Sequence, residues 1–270
     1  MGKADNMDRI QKIFRKCRDE KRKALVIFNS CGFPDEKSSE ELIGKSIEAG
    51  ADIIELGVPF SDPIAEGPVI QEADIRALSG GVTTDDIFDM VKKLREKTEI
   101  PLVFMTYLNP VFHYGYEAFF ERCQDVGIDG IIIPDLPFEE KEEVDVVASR
   151  YGIDLISMIA PTSKERIRKI AKGAKGFLYV VSSMGVTGER TNITTDIGGM
   201  LKEIRSVSSV PAAVGFGIHT PDQAAEISKT ADGVIVGSAV VKLIEKYGSH
   251  AGGHLYTYVR MMKEAVSHSE

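Results

Sequence analysis

Ala49-Gly50-Ala51-Asp52-Ile53-Ile54-Glu55-Leu56-Gly57-Val58-Pro59-Phe60-Ser61-Asp62-Pro63 contains one complete turn of the chain's architecture. Gly50 sits where a helix must stop, because a residue without Cβ takes the left-handed conformation at no steric cost. Asp52 then leads into Ile53–Val58, an apolar run too continuous for a half-exposed strand and suited to one buried on both faces. A Pro- and Gly-rich loop follows. The same joint recurs at Val126-Gly127-Ile128-Asp129 and Tyr151-Gly152-Ile153-Asp154, and in altered form at Thr230-Ala231-Asp232-Gly233. These joints are good helix-to-strand turns; they specify fold, not chemistry.

Outward from this stretch, seven more apolar runs read as strands: Ala24–Phe28, Pro101–Tyr107, Gly130–Ile133, Leu155–Ile159, Phe177–Val181, Ala212–Gly215 and Val234–Gly237. Between them lie amphipathic stretches rich in Lys, Glu and Ala: Ser39–Ala49, Asp85–Lys97, Tyr116–Val126, Lys141–Tyr151, Lys164–Lys172, Ile197–Val207 and Pro221–Thr230. Eight strands alternating with helices predict an α/β chain folded as a (β/α)8 barrel rather than an open doubly wound sheet. Arg9–Phe14 adds a surface helix before the first strand. No linker or shift in composition divides the chain, so residues 1–270 are expected to form one barrel domain.

Composition narrows the function. Among 270 residues, 33 Lys and Arg face 41 Asp and Glu, a net charge of −8. That balance argues against nucleic acid, which needs a basic stripe, and against an anionic membrane surface. Cys17, Cys31 and Cys123 form no CxxC pair or disulfide framework, which suits a reducing cytoplasm. No apolar run approaches the ~18 residues of a membrane span. His250 and His254 are four apart but separated by Ala251-Gly252-Gly253, a poor helix, so a metal site is not expected. No GxGxxG or Walker pattern follows a strand, so no nucleotide cofactor is indicated.

In a barrel of this kind chemistry belongs at the C-terminal ends of the strands. Glu55 is an acid inside an apolar run, where burial raises a carboxyl's pKa toward the range useful for general acid/base catalysis. Glu66, between Ala65 and Gly67 in the following loop, could point into the mouth. The 14 residues Ser182–Thr195 exceed the ~2–6 typical of such loops and read as a lid. Gly215-Phe216-Gly217-Ile218 and Gly237-Ser238-Ala239 end the seventh and eighth strands, where this fold builds phosphate sites from backbone amides and a helix N-terminus. The bland alternative for Ser238 is helix capping.

Glu55–Pro63, Gly185-Val186-Thr187-Gly188, Gly215–Ile218 and Gly237–Ala239, with Tyr107-x-Asn109 and Pro134-Asp135-Leu136-Pro137, resemble the signature segments of the tryptophan synthase alpha subunit. The resemblance covers nearly the whole chain in order and spacing. It implies a lyase that cleaves indole-3-glycerol phosphate to indole and glyceraldehyde 3-phosphate by retro-aldol chemistry without a cofactor in this subunit. By the same resemblance Glu55 is the catalytic acid/base and Phe28, Met105, Tyr179 and Phe216 line the ring pocket. Gly188, Gly217, Gly237 and Ser238 bind phosphate, and Thr187 belongs to the lid. The implied partner is a pyridoxal-phosphate beta subunit in an alpha2-beta2 hetero-tetramer.

One departure stands out. Glu66 occupies the place of the family's Asp, whose carboxylate accepts the indole N–H. An extra methylene displaces it by about 1.5 Å, and misplacement on that scale can cost ~100-fold in rate. Smaller departures are Ser183-Met184 before Gly185, and Phe33 in place of the usual Asp. Three readings therefore stand beside one another: an active lyase, a weakly active phosphate-ligand-binding subunit that mainly activates the beta partner, and a barrel enzyme for another phosphosugar.

Overall fold

The computed structural model describes residues 8–182, 196–215 and 217–267. Its strands are β1 Ala24–Ser30, β2 Ile53–Gly57, β3 Leu102–Met105, β4 Gly130–Ile132, β5 Asp154–Leu155, β6 Ser157–Ile159, β7 Leu178–Val181, β8 Ala212–Gly215 and β9 Gly233–Val236. Every pairing is parallel. The order β5-β4-β3-β2-β1-β9-β8-β7-β6 places consecutive segments at its two ends. Only Ile156 separates them, and its N–H donates to Ile131 O at 2.8 Å. The eight expected staves are therefore present, with the fifth changing partner from β4 to β7 at Ile156.

The helices are α1 Arg9–Asp19, α2 Glu36–Glu48, α3 Pro68–Ser79, α4 Thr84–Arg95, α5 Leu108–Tyr114, α6 Tyr116–Val126, α7 Lys141–Arg150, α8 Lys164–Lys172, α9 Ile197–Arg205, α10 Pro221–Ser228, α11 Ser238–Tyr247 and α12 Gly252–Ser267. All seven expected inter-strand helices form, with ends shifted by a few residues. Additional to them are α3, α5, α11 and α12. Pro68 does not break α3 but occupies its first turn, where the missing N–H costs nothing. Gly252 and Gly253 likewise fall in the first turn of α12, and its apolar stripe Leu255, Val259, Met262 and Val266 is buried. The expectation of a poor helix there is thus corrected. His250 lies outside α12 in a short 3₁₀ turn, while His254 stacks on Tyr247 at 3.7 Å between ring centroids.

Both faces of the strands are covered, one by the barrel interior and the other by helices, which is why their sequences show no polar alternation. At the N-terminal end α1, capped by the Asp8 side chain, buries Ile10, Phe14 and Cys17. Ile10 Cδ1 lies 3.3 Å from where a Cβ on Gly130 would stand. The joint aspartates share one task here. Asp52 accepts the N–H of Leu25, Asp129 that of Leu102 and Asp232 that of Ala212, at 2.8, 2.9 and 3.0 Å. Each ties the start of one stave to its neighbour. Gly50, Gly127 and Gly152 all take positive φ (104°, 81° and 71°), as a helix stop requires.

Candidate active site

Glu55 stands in the middle of β2, in register with Phe28 on β1 and Val103 on β3. Only 1% of its surface is exposed, and its Oε2 is buried without a hydrogen-bond partner among the described residues. Burial pushes its pKa up to about 8, and the nearby charge of Glu66 adds to the shift. The apolar sequence of the strand is thus the cause of the group's chemistry: a carboxyl kept protonated near neutral pH can donate a proton and later take one back.

Glu66 comes from the loop between β2 and α3. Its N–H donates to Pro63 O at 2.9 Å, and Gln71 Nε2 donates to its carbonyl at 2.8 Å. The preceding Ala65 N–H donates to Tyr107 Oη at 3.1 Å, and the Tyr107 ring packs on Phe60 with centroids 5.4 Å apart. With the backbone held this way, the Glu66 side chain is buried. Its charge acts on both Glu55 and Tyr179, raising the pKa of each. The three groups are therefore electrostatically coupled.

Absent side chains make room for two aromatic rings. A Cβ on Gly57 would lie 2.5 Å from Phe28 Cζ, and one on Gly215 would lie 2.7 Å from Tyr179 Oη. Glycine at these positions lets the two rings lie across neighbouring strands. Met105 on β3 pairs in register with Gly57. A separate cavity of about 480 Å³, lined by Ala65, Pro134, Leu136, Met158 and Val181 among others, opens beside β4–β7 and includes none of Phe28, Glu55, Glu66, Met105 or Tyr179 in its lining.

Gly217 follows β8 with φ of 83°, a conformation that favours glycine. His219, incidental in the sequence, holds this turn: its Nδ1 lies 2.9 Å from Gly217 O, and its N–H donates to Gln223 Oε1 at 2.9 Å. Gly237 follows β9 and is the N-cap of α11, so Ser238 is the first helical residue. The capping role is therefore excluded for Ser238. Its N–H belongs to the turn that no intrahelical acceptor satisfies. Phe28 Cβ lies 3.4 Å from a Cβ position on Gly237, which places the helix N-terminus beside the ring pocket.

Phe28, Glu55, Met105 and Tyr179 thus lie on β1, β2, β3 and β7, and Glu66, Gly217, Gly237 and Ser238 lie in the segments that follow β2, β8 and β9. Thr187, Gly188 and Phe216 lie outside the described residues, as does the 182–195 loop beyond Ser182. Ser182 N–H donates to Gly215 O at 3.1 Å. Two residues have more of a role than the sequence reading gave them. Tyr107 appears there only within a motif, and Asp74 not at all. The signal for Asp74 was available: an acid on the apolar face that carries Ile70, Ala73 and Ala77. Among the described residues no group of three His, Cys, Asp or Glu converges as metal ligands would.

A family model for the tryptophan synthase alpha chain matches residues 14–267. The tryptophan synthase alpha chain of Thermoanaerobacter pseudethanolicus is 49% identical over 262 residues, covering 96% of this chain and all of that protein. That of Lacticaseibacillus casei is 48% identical over 244 residues, 90% of this chain and 92% of its own length. Among solved structures, tryptophan synthase from Mycobacterium tuberculosis superposes with a TM-score of 0.89 at 34% identity, over 97% of this chain and 99% of that one. The alpha chain from Legionella pneumophila gives 0.87 at 36% identity, over 96% and 97%.

Proposed function

The chain belongs to the tryptophan synthase alpha chain family, and from that membership we propose that its barrel mouth cleaves indole-3-glycerol phosphate to indole and glyceraldehyde 3-phosphate. The observation that carries this reading is Glu55: a buried carboxyl whose pKa burial and the Glu66 charge push up to about 8, with one oxygen lacking a hydrogen-bond partner among the described residues. In the forward direction Glu55 delivers its proton to indole C3, which makes the ring an acceptor for the electron pair of the breaking bond. The glycerol hydroxyl then loses its proton to the Glu55 carboxylate as the C–C bond breaks and the aldehyde forms. Glu66 accepts the indole N–H as positive charge grows on the ring. Phe28, Met105 and Tyr179 hold the ring, while the N–H groups of Gly217, Gly237 and Ser238 hold the phosphate dianion.

Glu66 bears on the choice between an active lyase and a weakly active binding subunit. Its carboxylate acts on both Glu55 and Tyr179. This coupling supports a carboxylate acting beside Glu55 and Tyr179 in the place of the family's Asp, and so the active lyase. The reading needs no cofactor here, since Glu55 and Glu66 supply proton and acceptor; pyridoxal phosphate would belong to a beta subunit. A docked partner in an alpha2-beta2 tetramer is supported by Ile64 and Phe112, apolar side chains 73% and 66% exposed on the catalytic face. We place the protein in the cytoplasm, in keeping with three free, buried cysteines. The deciding experiment is indole release from indole-3-glycerol phosphate, with and without a beta subunit. Turnover abolished by Glu55→Gln is expected. Wild type inert toward this substrate but active on another phosphosugar would overturn the reading.

A further inference from the structure

Asp74 lies on α3 and is only 5% exposed. Its Oδ1 accepts the Ser30 hydroxyl at 3.0 Å, and the backbone N–H of Phe60 lies near enough to favour its charged form. Three segments therefore meet on one side chain: α3, the last residue of β1, and the start of the β2–α3 loop. Ser30 follows Phe28 by two residues; Phe60 stands between Glu55 and Glu66. The other end of the loop is held by Tyr107 at Ala65 and by Gln71 at the Glu66 carbonyl.

A buried acid is a costly way to pack a helix. An apolar side chain at position 74 would bury against the same neighbours without the desolvation cost. Arg76, the nearest cation in sequence, is engaged by Glu72 and Glu245 and lies over the Phe33 ring. The carboxylate instead takes the hydroxyl at the end of β1 and lies close to the N–H of Phe60, where the Glu66 loop begins.

We propose that Asp74 is a positioning residue for the cleavage reaction, setting the β2–α3 loop and through it the Glu66 carboxylate against Glu55. This inference rests on the lyase reading. Burial pushes the Asp74 pKa up to about 7, so both its forms occur across the working range. The carboxylate accepts the Ser30 hydroxyl and is also favoured by the Phe60 N–H. The neutral acid has one good acceptor oxygen and a proton that needs an acceptor of its own. The loop is thus held best in the ionised state. The other titratable and charged groups around it are Cys31 at the end of β1, Tyr107 after β3, and Arg76 with its two partners. Burial keeps the Cys31 thiol and the Tyr107 hydroxyl protonated well above neutral pH.

The test is kcat and KM for indole release between pH 6 and 9, for wild type, Asp74→Asn and Ser30→Ala. Near pH 6 the Asn variant should match wild type within about twofold. By pH 8.5 it should be about tenfold slower in kcat at nearly unchanged KM, the worth of one charge-assisted hydrogen bond. Taking the ratio cancels the Glu55 titration common to both proteins. A merely structural role gives a ratio that is flat with pH, and a flat ratio overturns the inference. Ser30→Ala removes a donor that favours the charged form, so its acid limb should move alkaline by about half a unit. That measurement decides the matter if Asp74→Asn fails to fold: an unmoved limb overturns the inference. No indole release from wild type at any pH overturns the lyase reading and this inference together; turnover with a flat ratio overturns the inference alone.

Discussion

Phe28 occupies the space that any side chain on Gly57 would need: a Cβ there would stand 2.5 Å from Phe28 Cζ. The ring is rigid, so it cannot fold out of the way as a flexible side chain would. Gly57→Ala should therefore displace Phe28, costing about 1–3 kcal/mol of stability as overpacking does, and should raise KM. Phe28→Leu in the same chain should restore part of the stability, since a smaller side chain vacates the contact. Thermal unfolding of the two single variants and the double variant checks this; additive losses would show that the two residues do not compete for space.

Glu55→Gln should lower kcat for indole release by about 10²–10⁴, the usual worth of a positioned acid/base. It should also change how stability depends on pH. The folded carboxyl titrates near 8, above its ordinary value, so between about pH 4.5 and 8 the unfolded chain releases a proton that the folded chain keeps. Wild-type stability from this group is complete below that window and declines as pH rises through it. Glutamine has no proton to lose. The unfolding free energy of the variant relative to wild type should rise by up to a few kcal/mol from pH 5 to pH 8; a constant difference would place Glu55 in contact with water.

What the sequence made legible follows from how each feature is encoded. The eight staves are read from continuous Val, Ile and Leu because burial on both faces removes polar alternation. The break at Ile156 leaves no mark, since a strand that changes hydrogen-bond partner needs no change of composition. Helix α3 was hidden by Gly67-Pro68, a pair that looks like loop until Pro68 is seen to open a helix. Glu55 stood out as an acid in an apolar run. Asp74 carried the same signal at helical spacing, where three-to-four-residue periodicity makes it harder to see. Phe28 and Tyr179 came only from family resemblance, because an aromatic residue in an apolar run is indistinguishable from core until neighbouring glycines are known to yield it space.

Removing the Glu66 charge should tune Glu55. Glu66 raises the Glu55 pKa by like-charge repulsion, so Glu66→Gln leaves burial alone to hold the shift. The Glu55 pKa then falls, and the protonated fraction available to protonate indole C3 shrinks at a lower pH. The alkaline limb of kcat/KM should move to lower pH, with a loss of about 10²-fold at the optimum because the indole N–H loses a charged acceptor. A limb that stays in place would mean that Glu66 does not face Glu55 in solution.

Lys263 on α12 should matter to stability and not to chemistry. Its Nζ donates to Asp52 Oδ2 while Arg22 Nη1 donates to Oδ1 at 2.9 Å, at the barrel end opposite the active site. Burial lowers the Lys263 pKa, and Asp52 holds it up. Lys263→Met removes one of two cations from a buried carboxylate and should cost about 1–3 kcal/mol, since Arg22 and Leu25 N–H remain as partners. Urea unfolding should report this loss while kcat for indole release stays within twofold.

The net charge of −8 makes the phosphate site the most demanding part of the proposed reaction. In the proposed site, oriented N–H groups at Gly217, Gly237 and Ser238 and the dipole of α11, whose reach is a few ångströms, attract the dianion. Such a site tolerates an added methyl group far better than an added charge. At Gly237 a Cβ would meet Phe28 at ordinary contact distance. Gly237→Ala should therefore weaken glycerol phosphate binding only a few-fold, whereas Gly237→Asp, a like charge beside a dianion, should abolish it. Calorimetric titration of the folded variants decides: equal affinities for Ala and Asp would move the phosphate away from the α11 N-terminus.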